Sequence, residues 1–382
     1  MLCIKNGRLH TVADKSPVVG SVLVDGGKIV GIGGDLSAKA DEVVDASGLD
    51  VYPGLIDCHS HLGLDGYGVR FEGQDYNELT DSLTPHLEAI DAFNPQDVTV
   101  RMAALGGVTC VATGPGSSNV LGGTFIVVKT AGNRVDDMLV KRHAAMKCAF
   151  GENPKFCYRE KDNSSRMSVA AKLRGMIRKT LEYRDKKLAA GDDLSKMPAY
   201  DQKLEAMLPV IAGEIPLKAH AHRADDIFTA IRVAKEFGVK LTIEHCTEGH
   251  LIAEQLAAEN VPLAIGPSLG HATKYELRNK TWETPGILAK AGCRVSIITD
   301  APVIPQQHLA LCAQMAVKAG MDRHEALKAI TINPARHLGI ESRVGTLEVG
   351  KDADIIITDG CILDGTTNVL HTFIDGIRIP RD

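Results

Sequence analysis

Eight short apolar runs, separated by stretches of helical character, constrain the fold of this chain more than any other feature of its sequence. Short apolar runs that alternate with helices are typical of βα units, whose strands assemble into a parallel sheet. Eight such units can close into a (β/α)8 barrel, the TIM barrel, which takes about 250 residues. We therefore predict an α/β fold with a TIM barrel over residues 53–337. The eight runs are Val51–Asp57, Thr109–Thr113, Thr124–Lys129, Met146–Phe150, Pro216–Ala219, Lys240–Glu244, Pro262–Ile265 and Arg294–Thr299.

The segments on either side of the barrel region have a different pattern. Residues 1–52 contain short strand-like runs divided by turn signals, and the tail 338–382 behaves similarly. We expect the two ends to pair into one small β module, since chain termini often lie close together. Within the barrel region, residues 164–208 carry apolar side chains such as Leu173 and Ile177 at helical spacing. This predicts a helical insertion between strands four and five, beside the active face of the barrel.

The balance of charge limits the partners that the chain can bind. It has 43 Lys and Arg against 48 Asp and Glu, without a long run of either sign, so no basic stripe indicates nucleic acid. No apolar stretch is long enough for a membrane span or a signal peptide, and the nine cysteines are scattered without a C-x-x-C pair. We expect reduced thiols, a cytoplasmic location and a small-molecule partner, and a homo-oligomer is compatible with the sequence.

The strongest chemical signal is a pair of histidines, His59 and His61, at the end of the first apolar run. A strand turns alternate side chains to the same side, so two imidazoles spaced by one residue can bind one metal ion. Later runs end in polar residues as well, and a barrel collects its active residues at the carboxyl ends of its strands. The residues in those positions are His220, with His222 just beyond it, His245 and Asp300.

The alternation of strand side chains also excludes some readings. It turns Cys58 away from the two histidines, which discounts a cysteine nucleophile, and it turns Glu244 away from the barrel interior. The glycine-rich segments 114–118 and 122–123 lack the Gly-Lys-Ser/Thr of a phosphate loop, so we expect a flexible loop near the mouth. A Gly-x-Ser-x-Gly elbow for serine hydrolysis does not occur.

Five motifs along the whole chain carry a resemblance to a known family. They are Val-Tyr-Pro-Gly-Leu-Ile-Asp-Cys-His-Ser-His (51–61), Gly-Gly-Val-Thr (106–109), Ile-Glu-His (243–245), Ile-Thr-Asp (298–300) and the segment 333–354, from Asn-Pro-Ala-Arg to Lys-Asp-Ala-Asp. With these motifs the chain resembles the amidohydrolase superfamily of metal-dependent hydrolases, and the imidazolonepropionase-like branch in particular. The resemblance implies a (β/α)8 barrel over 53–337 and a small β-sandwich formed by 1–52 and 338–382.

The resemblance also implies a role for each candidate ligand. His59 and His61 would bind the deeper of two divalent ions, and His220 and His245 would bind the second. Asp300 would bind the first ion and take a proton from the attacking water. The sequence leaves open whether the site binds one metal ion or two. Zinc is the expected metal, with manganese or iron as alternatives.

Members of this superfamily often add a ligand from strand four, commonly a lysine carboxylated by carbon dioxide. Lys147 is the matching candidate, and it could ligate only as the carbamate, because an ammonium group has no lone pair. Glu152 is the rival ligand, Lys129 at the end of the third run is a weaker one, and an ordinary ion pair is the alternative for Lys147. We interpret His222 as a catalytic or substrate-binding group and His271 as a second substrate contact.

Such a site predicts hydrolysis of a carbon–nitrogen bond by metal-activated water, with Asp300 as general base and acid. The expected substrate is an amide, a cyclic amide or a dipeptide-like compound. The alternative is an aminohydrolase that removes an amino group from a heterocycle, although the fifth run lacks the glutamate that deaminases of the superfamily usually have. A non-catalytic binding barrel is a third interpretation, which the complete set of candidate ligands disfavours.

Overall fold

Two eight-stranded sheets organise residues 1–381, the part of the chain that this computed structural model describes. The smaller unit joins both ends of the chain, as predicted. Its strands are β1 (Leu2–Leu9), β2 (Val18–Asp25), β3 (Lys28–Gly33), β4 (Glu42–Asp45), β5 (Asp50–Pro53), β14 (Ile355–Thr358), β15 (Val369–Ile374) and β16 (Ile377–Arg378). They lie in the order β16-β15-β14-β5-β1-β2-β3, with β4 also paired to β1. Leu9, Ile29, Val51 and Phe373 belong to their buried core.

The second sheet is the predicted barrel, and each of the eight apolar runs contributes a strand to it. Its strands are β6 (Leu55–Ser60), β7 (Val108–Thr113), β8 (Leu121–Lys129), β9 (Leu139–Ala149), β10 (Leu217–Ala221), β11 (Leu241–His245), β12 (Leu263–Ile265) and β13 (Val295–Ile297). They follow one another around the sheet in chain order. The α/β fold class with a TIM barrel and a small terminal sheet is thereby confirmed.

One strand runs in the opposite direction to the prediction. Strand β8 is antiparallel to both β7 and β9, whereas the βα pattern predicted eight parallel strands. The physical reason is the length of the connection: residues 114–120 between β7 and β8 are too few for a crossover helix, so the chain must reverse. The first residues of β8 therefore lie at the mouth, and Lys129 at its end lies at the base of the barrel.

The barrel is closed between β13 and β6 by hydrogen bonds that include a side chain. Asp57 accepts hydrogen bonds from the backbone N–H and the hydroxyl of Thr299, at 2.9 and 2.6 Å. The backbone N–H of His61 donates to the carbonyl of Ala301, at 2.8 Å. These bonds hold the carboxyl ends of the first and last strands together, where the candidate ligands lie.

Helices cover the outside of the barrel and form the insertion between β9 and β10. The α-helices are α1 (Val98–Leu105), α2 (Val135–Met138), α3 (Glu152–Cys157), α4 (Arg166–Ala190), α5 (Gln202–Ile211), α6 (Ala224–Phe237), α7 (Ala253–Glu259), α8 (Thr284–Lys290), α9 (Leu309–Lys318), α10 (Arg323–Lys328) and α11 (Ile332–Leu338). Single 3-10 turns occur at Ser37–Lys39, Phe71–Gly73, Ala89–Asp91, Gly249–Ile252, Tyr275–Leu277 and Gln306–His308. Among the described residues, no helix combines the length and the apolar character that crossing a bilayer requires.

Candidate metal centre

The six polar residues that end the apolar runs come together at the mouth of the barrel. His59 lies on β6 and His61 just after it, His220 lies on β10 and His245 is the last residue of β11. The five histidines are buried, and the side chain of Asp300 is 15% exposed. Five of the six, all except His61, form two overlapping groups, and within each group the ligand atoms lie within 4.8 Å of one another. The inner group is His59, His245 and Asp300, and the outer group is His220, His222 and His245.

Asp300 lies between the imidazoles of the inner half of the site. Its Oδ1 is 3.3 Å from Nε2 of His61 and 3.6 Å from Nε2 of His59. Burial opposes ionisation, but His245, His61 and His59 outweigh it and hold the pKa of the Asp300 carboxyl well below its usual range. Asp300 is therefore a carboxylate that can bind a cation or accept a proton.

All five histidines have their Nδ1 atom engaged by a partner outside the site, which leaves Nε2 directed inward. A carbonyl or carboxylate oxygen only accepts, so such a partner fixes the proton on Nδ1 and leaves a lone pair on Nε2. Metal-binding histidines are commonly oriented in this way. The Nδ1 partners are Glu244 Oε2 for His59 (3.0 Å), the Gly114 carbonyl for His61 (2.7 Å), Ser117 Oγ for His220 (2.9 Å), Thr247 Oγ1 for His222 (2.7 Å) and the Gly266 carbonyl for His245 (2.8 Å).

These donors fit a divalent cation. The Nε2 atoms of His220 and His245 are buried and have no hydrogen-bond partner among the described residues. Burial lowers the pKa of His59, His220 and His222 well below the usual value and that of His245 to about 4, so these imidazoles are neutral. Neutral imidazole and carboxylate are the ligands that zinc prefers beside thiolate.

Two glycines place the carbonyls that orient His61 and His245. A Cβ at Gly114 would lie 2.3 Å from the ring of Phe125, and a Cβ at Gly266 would lie 2.4 Å from the carbonyl oxygen of Ile298. Gly266 also has a φ of 141°, which is costly for other residues. The glycine-rich segments 114–118 and 122–123, which were expected to form a flexible loop, are mostly buried, and 122–123 belong to strand β8.

The outward orientation predicted for Glu244 is wrong. Its buried carboxylate faces His59 in the barrel interior and also accepts hydrogen bonds from Lys218 Nζ (2.8 Å) and His337 Nε2 (3.1 Å). The reason is local: His245 has a φ of 72° and Cys246 a φ of 48°, so the regular alternation ends there. Burial opposes ionisation, but Lys218 and His337 outweigh it and hold the pKa of Glu244 well below its usual range.

Lys218 is a site residue that the sequence reasoning missed, although a signal existed. It precedes His220 by two positions on β10, so strand periodicity alone places it on the same side. It is 1% exposed and lies beneath the histidines. Lys218 and Glu244 together form a buried ion pair that supports the Nδ1 side of His59.

Lys147 lies beside the inner group. It is fully buried, and its Nζ is 3.2 Å from Nε2 of His59. Burial lowers the pKa of Lys147 to about 8, although Asp300 and Glu244 act in the opposite direction. Its amine is thus close enough to share a cation with His59 if it becomes an anionic ligand.

The three remaining candidates do not belong to either group of ligand atoms. Glu152 begins α3, and its carboxylate approaches the backbone N–H of Glu276 at 3.4 Å. His271 is exposed in the loop after β12. Lys129 is excluded, because the reversal of β8 carries it to the opposite end of the barrel, where it pairs with Asp354 at 2.7 Å.

Glu276 and Lys274 are the two site residues that sequence reasoning could not find. Glu276 is completely buried, and its Oε1 lies 3.7 Å from Nε2 of both His220 and His222. Lys274 Nζ is 2.6 Å from the same oxygen. Both residues belong to the connection after β12, at a single 3-10 turn that is too short for strand or helix periodicity to predict the direction of a side chain.

Known proteins show similarity to the chain over most of its length. A model of the amidohydrolase family matches residues 51–378. Amidohydrolase tasK of Hapsidospora irregularis is 28% identical over 94% of this chain, which spans only 39% of that protein. The imidazolonepropionase of Rhizobium meliloti is 28% identical over 92% of this chain and 89% of its own length. A crystal structure of an amidohydrolase from Thermotoga maritima is 40% identical, covers both chains completely and superposes with a TM-score of 0.97.

Proposed function

Because this chain belongs to the amidohydrolase family, in its imidazolonepropionase-like branch, and is a hydrolase of carbon–nitrogen bonds other than peptide bonds, we propose that the cluster at the barrel mouth is its active site. The observation that carries this proposal is the common orientation of the five imidazoles, each with Nδ1 engaged from outside. A structural histidine cluster would have no need to keep buried Nε2 atoms without partners.

The family uses a divalent metal, and for its ligands we propose the residues that the family resemblance implies. His59, His61 and Asp300 would hold one ion, and His220 and His245 a second, with zinc the expected metal and manganese or iron the alternatives. When bound, the metal supplies a water acidic enough to react near neutral pH. Lys147 would contribute as a carbamate, since its Nζ lies 3.2 Å from His59 Nε2 and an unmodified ammonium has no lone pair.

Asp300 is the residue that would move the proton. Its carboxylate is ionised and faces the same space as the inward Nε2 atoms of His59 and His61. It would accept a proton from the attacking water and deliver it to the nitrogen that leaves, which is general base and then general acid catalysis. Protonation of the leaving nitrogen is what allows an amide bond to break.

The substrate class that we propose is a cyclic amide. Several curated relatives at 24–28% identity are imidazolonepropionases, a name that denotes an imidazolone, which is a ring amide. His271 in the exposed loop after β12 would contact the part of the substrate outside the ring. His222 has two uses open to it, as a substrate contact or as a ligand.

Metal removal and substrate screening test the proposal together. The protein is stripped with a chelator, shown to remain folded by circular dichroism, and reloaded with zinc, manganese or iron. Ring amides, dipeptides and amino-substituted heterocycles are then assayed for ring opening, amine release and ammonia release. We expect metal-dependent ring opening; ammonia release from a heterocycle alone would indicate an aminohydrolase, and a protein that retains no metal would indicate a binding barrel.

A further inference from the structure

The outer group of imidazoles has a fourth donor that comes from a different loop. The ring centroids of His220, His222 and His245 are 4.4–4.8 Å apart in every pair. Glu276, in the 3-10 turn after β12, brings Oε1 to 3.7 Å from Nε2 of His220 and of His222. The Glu276 carboxylate thus lies next to two of the three imidazoles of the outer group.

We propose that His222 and Glu276 are ligands of the second cation, so that three imidazoles and one carboxylate hold it. The inference rests on the proposed function, which places cations at this mouth. Three nitrogens and one oxygen would give zinc the four protein ligands of a closed site. A position open to water would then belong to the inner group around Asp300.

The orientation of His222 favours a ligand over a substrate contact. Its Nδ1 is joined to the Thr247 hydroxyl at 2.7 Å, and the residue is 4% exposed, so little of the ring is available to a substrate. Its Nε2 faces Glu276. The buried Nε2 atoms of His220 and His245 have no hydrogen-bond partner among the described residues, which leaves their lone pairs available to the same cation.

Lys274 explains how Glu276 is neutralised when no cation is present. Its Nζ is 2.6 Å from Glu276 Oε1 and 2.7 Å from Asn153 Oδ1, and its side chain is 21% exposed. The ammonium therefore occupies the role of counter-ion from the solvent side. A metal ion and the Lys274 ammonium would compete for the same Glu276 oxygen. Removing Glu276 and removing Lys274 should therefore change metal retention in opposite directions.

The test measures how many metal equivalents remain as zinc-loaded protein is dialysed against increasing chelator. The variants are Glu276→Gln, His222→Asn and Lys274→Met, and Glu248→Gln serves as the control. Glu248 is also a buried glutamate after a barrel strand, but it accepts hydrogen bonds from the backbone of Ala224 and the amide of Asn279. Glu276→Gln keeps an acceptor for the backbone N–H of Glu152, so the loop should remain folded.

We expect Glu276→Gln and His222→Asn to lose the second equivalent at chelator concentrations at least about tenfold lower than the wild type, because changes to ligands or their neighbours weaken metal affinity by about that factor. Lys274→Met should retain it more tightly, Glu248→Gln should match the wild type, and the first equivalent should remain in all four. If Glu276→Gln and His222→Asn both retain the second equivalent as tightly as the wild type does, the proposal is overturned and Glu276 is only the ion-pair partner of Lys274. A wild type that binds one equivalent only would also overturn it without affecting the proposed function, which is tested separately by whether any metal binds and by the substrate screen.

Cobalt(II) titration of the wild type provides a measurement without any mutation. The second equivalent should give the intense visible absorption of four-coordinate cobalt. The weak absorption of six-coordinate cobalt at that step would contradict a site closed by four protein ligands.

Discussion

Two buried lysines on neighbouring strands of the barrel have opposite surroundings. Lys129, at the base, lies within 3.1 Å of carboxylate oxygens of Asp352, Asp354 and Asp375, which outweigh the effect of burial and raise its pKa. Lys147, at the mouth, has an imidazole nitrogen at 3.2 Å, and burial lowers its pKa to about 8. At the base the ammonium is paired with carboxylates, whereas at the mouth the Nε2 atoms of His220 and His245 have no hydrogen-bond partner among the described residues. We interpret the first cluster as structural and the second as the proposed active site.

The largest expected effect is on turnover and concerns Asp300. If turnover did not depend on Asp300, the contrast between the mouth and the base would fail. Asp300→Asn should lower turnover by about 10²- to 10⁴-fold, because the general base is lost. The free energy of unfolding should change little, since asparagine keeps the shape of the side chain. Initial rates on a ring amide measure turnover, and urea unfolding measures stability. Turnover within twofold of the wild type would remove Asp300 from the mechanism.

The next effect is on stability and concerns the base. Lys129→Met should lower the free energy of unfolding by about 3–5 kcal/mol, because it leaves buried carboxylates without their cation. Metal content should not change. Arg134→Met is the control, since the side chains of its ion pair with Asp136 are 69% and 55% exposed and the free energy of unfolding should stay close to that of the wild type. Loss of metal in Lys129→Met would contradict the separation of the two clusters.

A smaller effect appears in the pH dependence of the metal-free protein. The pKa of Lys147 is about 8 when folded and 10.5 when unfolded, so between these values the unfolded chain holds a proton that the folded chain has released. Stability then rises with pH, by up to about 3 kcal/mol across that window. The raised pKa of Lys129 acts with the opposite sign and only above pH 10.5.

Urea unfolding in chelator at pH 7 to 10 measures this term as the difference between the wild type and Lys147→Met. Above pH 8 the free energy of unfolding of the wild type should rise relative to that of Lys147→Met. The difference between the wild type and Lys129→Met should stay constant. A constant difference for Lys147→Met as well would mean that the two lysines have the same environment.

The smallest expected effect separates the two candidate ligands from strand four. Glu152→Gln should change metal retention less than twofold, because its carboxylate faces the backbone N–H of Glu276. Lys147→Ala should reduce metal retention, and a short carboxylic acid should restore it if the lysine is a carbamate. Elemental analysis after dialysis decides, and a larger loss in Glu152→Gln would make Glu152 the ligand.

Most of the fold could be predicted from the sequence, because buried barrel strands read as continuous apolar runs. The direction of β8 could not be predicted from its run, since an apolar run has no polarity; only the short connection 114–120 held that information. The first run also proved to be two strands, β5 in the small sheet and β6 in the barrel, divided at Gly54.

The grouping of the candidate ligands could be predicted because strand ends meet at one rim of a barrel. Glu244 was misplaced because the left-handed backbone of His245 is invisible in the sequence. Glu276 reaches the histidines from an irregular loop, and long-range contacts of that kind follow from tertiary packing alone. The roles of the grouped residues remain predictions for the experiments above.

The reversed strand β8 has a consequence for how this scaffold can be altered. The hairpin 114–120 holds His61 through the Gly114 carbonyl and His220 through the Ser117 hydroxyl, so one turn sets the alignment of both halves of the centre. An insertion in this hairpin would disturb the orientation of His61 and His220 together. Redesign for new substrates should therefore change the helical insertion between β9 and β10 and keep the hairpin 114–120 unchanged.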